Sequence, residues 1–159
     1  MRSWNKPLAW AYISLISLFV FILDRLSKTA ILENFSQGES SKVFPNFLHI
    51  TVVFNSGAAF GLLKNMTPFF IVVSFVVLAV IVLYVVRAAW IDFAVSVALG
   101  LVAGGAAGNL VDRIKLGYVI DFLDIRVWPV FNIADSAITI GASLLVLHVI
   151  FGKSIKRKT

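Results

Sequence analysis

Residues 68–86 have the sequence PFFIVVSFVVLAVIVLYVV, which contains no charged side chain. A helix of about 20 apolar residues crosses the hydrocarbon core of a bilayer, so this stretch predicts a transmembrane helix. Three further segments predict three more: residues 8–30, of which 8–23 are free of charge, and the charge-free stretches 93–111 and 136–152. No small-residue cleavage site follows the first of them, so we expect a retained helix and not a signal peptide. The chain is therefore predicted to be an all-α polytopic membrane protein with four transmembrane helices.

The composition supports a membrane protein. Of the 159 residues, 60% are hydrophobic and 14% charged, and the mean hydropathy is +0.95, whereas soluble domains carry about 25% charged residues. No linker or internal repeat divides the sequence, so we expect a single membrane-embedded domain over residues 1–159. Cysteine is absent, which excludes disulfides and thiol nucleophiles.

The distribution of charge predicts the orientation. If both termini are cytoplasmic, the inner segments 1–7, 87–92 and 152–159 carry as many Lys and Arg residues as the outer segments, in about a third of the length. Of the eight acids, only Asp92 then lies inside. We therefore expect a multi-pass membrane protein with both termini in the cytoplasm. The net charge of +6 then indicates contact with anionic phospholipid, and we expect no nucleic-acid binding.

The segment between the first two helices has a different pattern. Residues 48–54 are rich in β-branched side chains, and residues 43–47 resemble a second strand. Pro45 cannot donate a backbone hydrogen bond, which confines the second strand to a sheet edge. We therefore expect a small extracytoplasmic β-sheet between helices 1 and 2, lying on the membrane surface.

Polar residues gather at the outer ends of the third and fourth helices. Residues 108–113 are GNLVDR, residues 121–124 are DFLD, and residues 131–136 are FNIADS. Ionisable groups at membrane depth are costly to bury and commonly mark functional sites. Helix termination is the alternative explanation, because Asp112 could end the third helix and Asp135 could lie in the first turn of the fourth.

The residue types present limit the chemistry. The zinc-protease motif H-E-x-x-H is absent, and the two histidines, His49 and His148, fall on opposite sides of the membrane in the predicted topology. Ser143 and His148 are five residues apart on one helix, so they do not face each other. A serine–lysine pair made by Ser56 and Lys64 stays open as an alternative.

A pair of carboxylates is the remaining mechanism. Two adjacent aspartates share one proton, so the ionised one can activate water while the protonated one polarises an amide carbonyl. This reaction needs no metal and no cofactor. Asp135 is one candidate for the pair, and spacing leaves Asp112, Asp121 and Asp124 open as its partner.

Five segments in order, spread over residues 20–145, resemble the motifs of bacterial lipoprotein signal peptidase (signal peptidase II, prolipoprotein signal peptidase). They are DRLSK at 24–28, NSGAAFG at 55–61, GGAAGNLVDR at 104–113, VIDF at 119–122 and FNIADS at 131–136. The resemblance implies a membrane aspartic endopeptidase of the bacterial cytoplasmic (inner) membrane. Such an enzyme removes signal peptides from diacylglyceryl-modified prolipoproteins, cutting just before the lipidated cysteine.

The resemblance also implies roles for individual residues. Asp121 and Asp135 would form the catalytic pair near the extracytoplasmic face, in a monomeric enzyme. Asp24 and Lys28 match a further motif, but their i,i+4 spacing also suits an ordinary helix ion pair, so we expect a structural role for them. Residues that would support catalysis or bind substrate are Asn55, Asn109, Asp112, Arg113 and Asn132.

A different function class is also compatible with buried acids. A small proton-coupled membrane transporter or channel subunit uses intramembrane carboxylates to relay protons. Such proteins commonly place carboxylates near the bilayer midplane and contain internal repeats. This sequence has no detectable repeat and puts all acids except Asp92 toward one face, which favours the peptidase.

Overall fold

A computed structural model describes residues 3–4, 6–45, 47–57 and 65–155 of the chain. The described part contains four helices that are long and apolar enough to cross a membrane. This confirms the predicted fold class. The helices are α1 (Lys6–Asn34), α2 (Thr67–Arg87), α3 (Phe93–Leu116) and α4 (Ile133–Ile155).

The helices extend beyond the apolar stretches, and this places the polar motifs. Asp112 lies within α3. The residue that caps the end of this helix is Gly117, whose left-handed φ of 83° suits a residue without a Cβ. Asp135 lies in the first turn of α4, which begins at Ile133, three residues before the predicted start at residue 136. Both acids are therefore part of helices and are not in loops.

The strands form two sheets. A two-stranded antiparallel sheet joins β1 (Ser3–Trp4) to β4 (Ile91–Asp92). A three-stranded antiparallel sheet has the order β2-β3-β5, with both pairings antiparallel. Its strands are β2 (Ser40–Phe44), β3 (Leu48–Asn55) and β5 (Val119–Asp124).

The small sheet between α1 and α2 is confirmed, with two differences from the expectation. β2 starts earlier than predicted and ends at Phe44, because Pro45 cannot continue the ladder. The second difference is β5, which was not predicted; it comes from the α3–α4 connection and pairs with β3. Its register sets Asp121 opposite Val53 and Asp124 opposite His49.

The central helix α3 is the most deeply buried of the four. Its glycines allow close approach, because a Cβ on Gly104 would lie 2.6 Å from the backbone oxygen of Ser17 on α1. A Cβ on Gly105 would meet the backbone oxygen of Ala134 on α4. Helices in lipid commonly pack through such small residues. The glycines therefore fix the spacing of α1 and α4 around α3.

The glycine contact predicts a stability effect. Gly104→Ala should lower the free energy of unfolding by about 1–3 kcal/mol, because the backbone of α1 would have to move. Thermal unfolding of the purified protein in detergent micelles measures the change. The control is Ala79→Val on the exposed face of α2, which should leave the midpoint unchanged. Equal midpoints for both variants would contradict the packing.

Candidate active site

Asp121 is a buried carboxylate on β5, with 2% of its surface exposed. Asn55, at the end of β3, donates a hydrogen bond from Nδ2 to Asp121 Oδ2 at 2.8 Å. Asn132, just before α4, donates from Nδ2 to Asp121 Oδ1 at 2.7 Å. Both oxygens of this carboxylate therefore have a side-chain amide as donor.

Asp135 is held by a reciprocal cap at the start of α4. Its backbone N–H donates to Asn132 Oδ1 at 2.8 Å, and the backbone N–H of Asn132 donates to Asp135 Oδ2 at 3.3 Å. This is the geometry of a capping box, in which the N-cap residue and the third residue of the helix satisfy each other's N–H groups. The cap fixes the side chain of Asp135 relative to Asn132.

Asn109 of α3 completes the set of donors. Its Nδ2 donates to Asp135 Oδ1 at 2.7 Å, while its Oδ1 accepts from Asn132 Nδ2 at 3.1 Å and from Lys28 Nζ at 3.0 Å. Each of the four oxygens of Asp121 and Asp135 thus accepts at least one N–H hydrogen bond. The site is built to hold two carboxyl groups side by side.

The two carboxyl groups influence each other's ionisation. Burial, and then the negative charge of Asp135, raise the pKa of Asp121 to about 7. The hydrogen bonds from Asn55 and Asn132 and the positive charge of Lys28 act in the opposite direction but do not offset burial. The pair therefore holds one proton near neutral pH, and that proton belongs to the pair as a unit.

The aspartates face a cavity of about 250 Å³. Its polar lining includes Asn55 and Arg113 beside Asp121 and Asp135. Asp135 and Arg113 also border a second cavity of about 240 Å³, between α2, α3 and α4. The Arg113 guanidinium lies over the Phe70 ring, 4.9 Å from its centroid. Apolar side chains in the first cavity are Val119, Trp128, Pro129, Val130, Phe131 and Ile138.

The predicted pair of Asp24 and Lys28 is present, with Lys28 Nζ 2.9 Å from Asp24 Oδ2, but it does not lie at a surface. Both side chains are buried, with 0% and 2% exposed. Lys28 also contacts Asp112 Oδ2 at 2.7 Å, and Arg25 contacts Asp112 Oδ1 at 2.5 Å. The result is a neutral cluster of two cations and two anions that ties α1 to α3.

Asp24 has a second contact that the spacing of the motif does not reveal. Its Oδ1 accepts a hydrogen bond from the backbone N–H of Ala134 at 3.1 Å. Backbone N–H groups in the first turn of a helix have no partner within the helix, and negative charge is favourable there. Asp24 supplies the missing acceptor at the start of α4. A Cβ on Gly108 would lie 2.6 Å from Asp24 Oδ2, so the absence of a side chain there leaves room for the carboxylate.

Asp124 lies away from the pair in a separate network. Its carboxylate accepts hydrogen bonds from the Thr51 hydroxyl at 2.8 Å and from the Arg126 backbone N–H at 2.9 Å. The guanidinium of Arg126 in turn contacts His49 Nδ1 at 2.6 Å. The structure therefore connects Asp121 to Asp135 through Asn132. Asp112 belongs to the charged cluster between α1 and α3, and Asp124 belongs to this separate network.

The remaining alternatives are the histidines, the serine–lysine pair and a metal site. His148 Nε2 lies 3.4 Å from Asp92 Oδ2, at the other end of the bundle from His49. Residues 58–64, with Lys64 of the serine–lysine alternative and the AAFG part of one motif, lie outside the described residues. Across the described ranges there is no group of three or more His, Asp or Glu side chains that could hold a metal ion.

Comparison with known proteins gives a consistent result. The family model described as "Signal peptidase (SPase) II" matches residues 16–151. Lipoprotein signal peptidase of Halothermothrix orenii is 42% identical over 135 residues, covering 85% of this chain and 92% of the relative. That of Moorella thermoacetica is 48% identical over 132 residues, covering 82% and 87%. A solved structure described as a bacterial membrane enzyme superposes with a TM-score of 0.85 at 36% identity, covering 91% of each chain.

The network around Asp124 predicts a pH-dependent contribution to stability. Burial alone would raise the pKa of Asp124, but the hydrogen bonds from Arg126 and Thr51 and the charge of Arg126 lower it below its usual value. A lowered pKa means that the ionised group stabilises the fold above the unfolded-state pKa of about 3.9. This contribution is lost as the pH falls through the lower folded-state value.

Asp124→Asn should therefore unfold at a lower temperature than the parent protein at pH 7, and the difference should shrink toward pH 3. Thermal unfolding in detergent at several pH values measures this. Glu33→Gln, at an exposed position of α1, is the control and should show no difference at either pH. A deficit of the same size at pH 3 and pH 7 would refute a role for the ionised carboxylate.

Proposed function

The chain belongs to the signal peptidase II family, and on that premise we propose that it is an aspartic endopeptidase in which Asp121 and Asp135 form the catalytic pair. Its substrates are prolipoproteins, and it removes their signal peptides. The observation that carries the proposal is that Asn132 hydrogen-bonds to both carboxyl groups. Asp135 is half-buried, and Asp121 is buried with its pKa raised to about 7.

The arrangement supports a water-activating reaction. In the reaction that we propose, Asp121 carries the shared proton and Asp135 acts as the base. Asp135 removes a proton from water as the water oxygen attacks the scissile carbonyl carbon. The carbonyl oxygen at the same time takes the proton from Asp121, which yields a neutral tetrahedral diol.

Collapse of the diol regenerates the starting state. Asp135 gives its proton to the amide nitrogen as the C–N bond breaks, and a diol hydroxyl returns a proton to Asp121. The products are a carboxylic acid and an amine, and the balance requires only water and the two carboxyl groups.

The neighbouring residues have supporting roles in the proposal. Asn55, Asn109 and Asn132 orient the carboxyl groups through the hydrogen bonds described above. Arg113 borders the cavity, and its positive charge acts on both Asp135 and Asp121. We assign Arg113 to substrate binding. The contact between its guanidinium and the Phe70 ring would hold this cation close to the scissile bond.

The location of the pair suits a lipid-modified substrate. Asp121 and Asp135 lie where the helical bundle meets the three-stranded sheet, near the ends of α3 and α4. A diacylglyceryl anchor would hold a scissile bond at this level of the membrane. The second cavity, lined by Val73, Val77 and Val102, adds apolar walls beside Asp135. The transporter alternative has no support from the relatives, which are signal peptidases.

The catalytic pair is tested by three matched substitutions. Asp121→Asn and Asp135→Asn should each lower the turnover of a diacylglyceryl-modified prolipoprotein by at least about 1,000-fold, because an amide can neither carry the shared proton nor accept one. Asp124→Asn is the control, a buried carboxylate on the same strand as Asp121, and should keep most of the activity of the folded enzyme. A gel-shift assay with purified, folded variants measures turnover.

The outcome is decisive for the assignment. Substantial turnover by Asp121→Asn or Asp135→Asn would exclude the pair. Equal loss in Asp124→Asn would mean that a third carboxylate takes part.

We also propose that both termini are cytoplasmic and that the catalytic pair faces outward. A cysteine placed at Gln37, between α1 and β2, should then react with a membrane-impermeant thiol reagent in intact cells. A cysteine at Ala89, between α2 and β4, should react only after permeabilisation. Both positions are exposed, and the absence of native cysteine removes background labelling. The reverse pattern would place the pair on the cytoplasmic side and rule out the orientation.

A further inference from the structure

We propose that Lys28 is a positioning residue that acts on Asp135 through Asn109. This inference rests on the proposed function, since it concerns how the catalytic pair is held. The sequence alone suggested only a structural ion pair with Asp24. The structure instead puts the Lys28 ammonium against a side chain that touches the pair.

The direction of the Asn109 amide is the central point. Asn109 Oδ1 lies 3.0 Å from Lys28 Nζ, and an ammonium group can only donate. The amide oxygen must therefore face Lys28, which turns Nδ2 toward Asp135 Oδ1 at 2.7 Å. With the amide reversed, Nδ2 would face the ammonium and the oxygen would face the Asp135 carboxylate, and both contacts would be repulsive.

Lys28 is itself fixed, which makes it effective in this role. Its ammonium contacts Asp24 Oδ2 at 2.9 Å and Asp112 Oδ2 at 2.7 Å, and 2% of its surface is exposed. These two carboxylates and the Asn109 oxygen surround the ammonium group on three sides. A buried charged group with three oxygen partners is held firmly in place.

Lys28 does not line either cavity described above. A residue that cannot touch substrate but orients the base should affect the rate of the chemical step more than substrate binding. The expected signature is therefore a fall in kcat with little change in KM. A loss of fold would instead reduce the amount of active enzyme and leave the kinetic constants of the folded fraction unchanged.

A double-mutant cycle tests the coupling. Lys28→Met should lower the kcat of folded enzyme about 10- to 100-fold, with KM within about threefold of the parent. Asn109→Ala removes the intermediary. Adding Lys28→Met to Asn109→Ala should cause no further loss beyond about threefold, because the hydrogen-bonded route to Asp135 is already broken and only the direct effect of the Lys28 charge is then removed. Lys6→Met, at an exposed lysine that contacts the Val86 oxygen at the far end of α1, is the matched control and should keep the parental kcat.

Two results would overturn the proposal. One is a Lys28→Met enzyme with kcat within about threefold of the parent. The other is a double variant whose losses multiply, which would mean that Lys28 acts independently of Asn109.

A charge-balanced variant covers the case in which Lys28→Met alone does not fold. Lys28→Met with Asp112→Asn removes one cation and one anion, so no uncompensated charge stays buried. Its kcat should still be at least about tenfold below that of Asp112→Asn alone. Equal kcat values would show that Lys28 serves only charge balance. Turnover by the parent and inactivity of Asp121→Asn in the same assay test the proposed function separately.

Discussion

The side chain of Asn132 joins the two halves of the site. It is fully buried, and it links the strand that carries Asp121 to the helix that carries Asp135. Its Oδ1 caps α4, while its Nδ2 reaches both Asp121 and Asn109. Asn132 hydrogen-bonds to both carboxyl groups, with its side-chain amide donating to Asp121 and its backbone N–H donating to Asp135. The distance and orientation of the pair thus depend on a cap that also starts the fourth transmembrane helix.

Close helix packing is the condition for this arrangement. Gly105 lets α3 approach the start of α4 at Ala134, and Gly108 leaves space for Asp24 from α1. These contacts bring Asn109, one residue beyond Gly108, against Asp135. The buried charges of the site also depend on neighbouring side chains. Asp24 and Asp112 are tolerated out of water because Arg25 and Lys28 neutralise them. Packing and charge compensation therefore position the site together.

Some of this could be predicted from the sequence for clear physical reasons. A charge-free stretch such as residues 68–86 has no stable alternative to crossing a bilayer, so the four helices followed from composition. The outer sheet was predicted in part, from the β-branched residues of β3. β5 was missed because its partner lies about 65 residues earlier, and pairing over that distance leaves no local periodicity.

The site was harder to predict, because spacing carries no information on distant contacts. Asp112, Asp121 and Asp124 were equivalent partners for Asp135 until the resemblance to a family favoured Asp121. The burial of Asp124 was not predicted either, because Thr51 and Arg126, which bind it inside the sheet network, are not identified by its local sequence. The i,i+4 spacing of Asp24 and Lys28 predicted their ion pair. It did not predict that the pair is buried against Asn109, because Asn109 is 81 residues from Lys28 in the sequence.

The central claim is that Asp121 and Asp135 share one proton near neutral pH. Isotope-edited infrared spectroscopy of protein labelled with carboxyl-¹³C aspartate detects protonated aspartate directly, without substrate. The account predicts one protonated aspartate carboxyl at pH 6 that disappears with a midpoint near pH 7, in line with the raised pKa of Asp121. That pH-dependent signal should be missing from Asp121→Asn. A spectrum in which every aspartate is ionised by about pH 5, as for unperturbed carboxyl groups, would contradict the account.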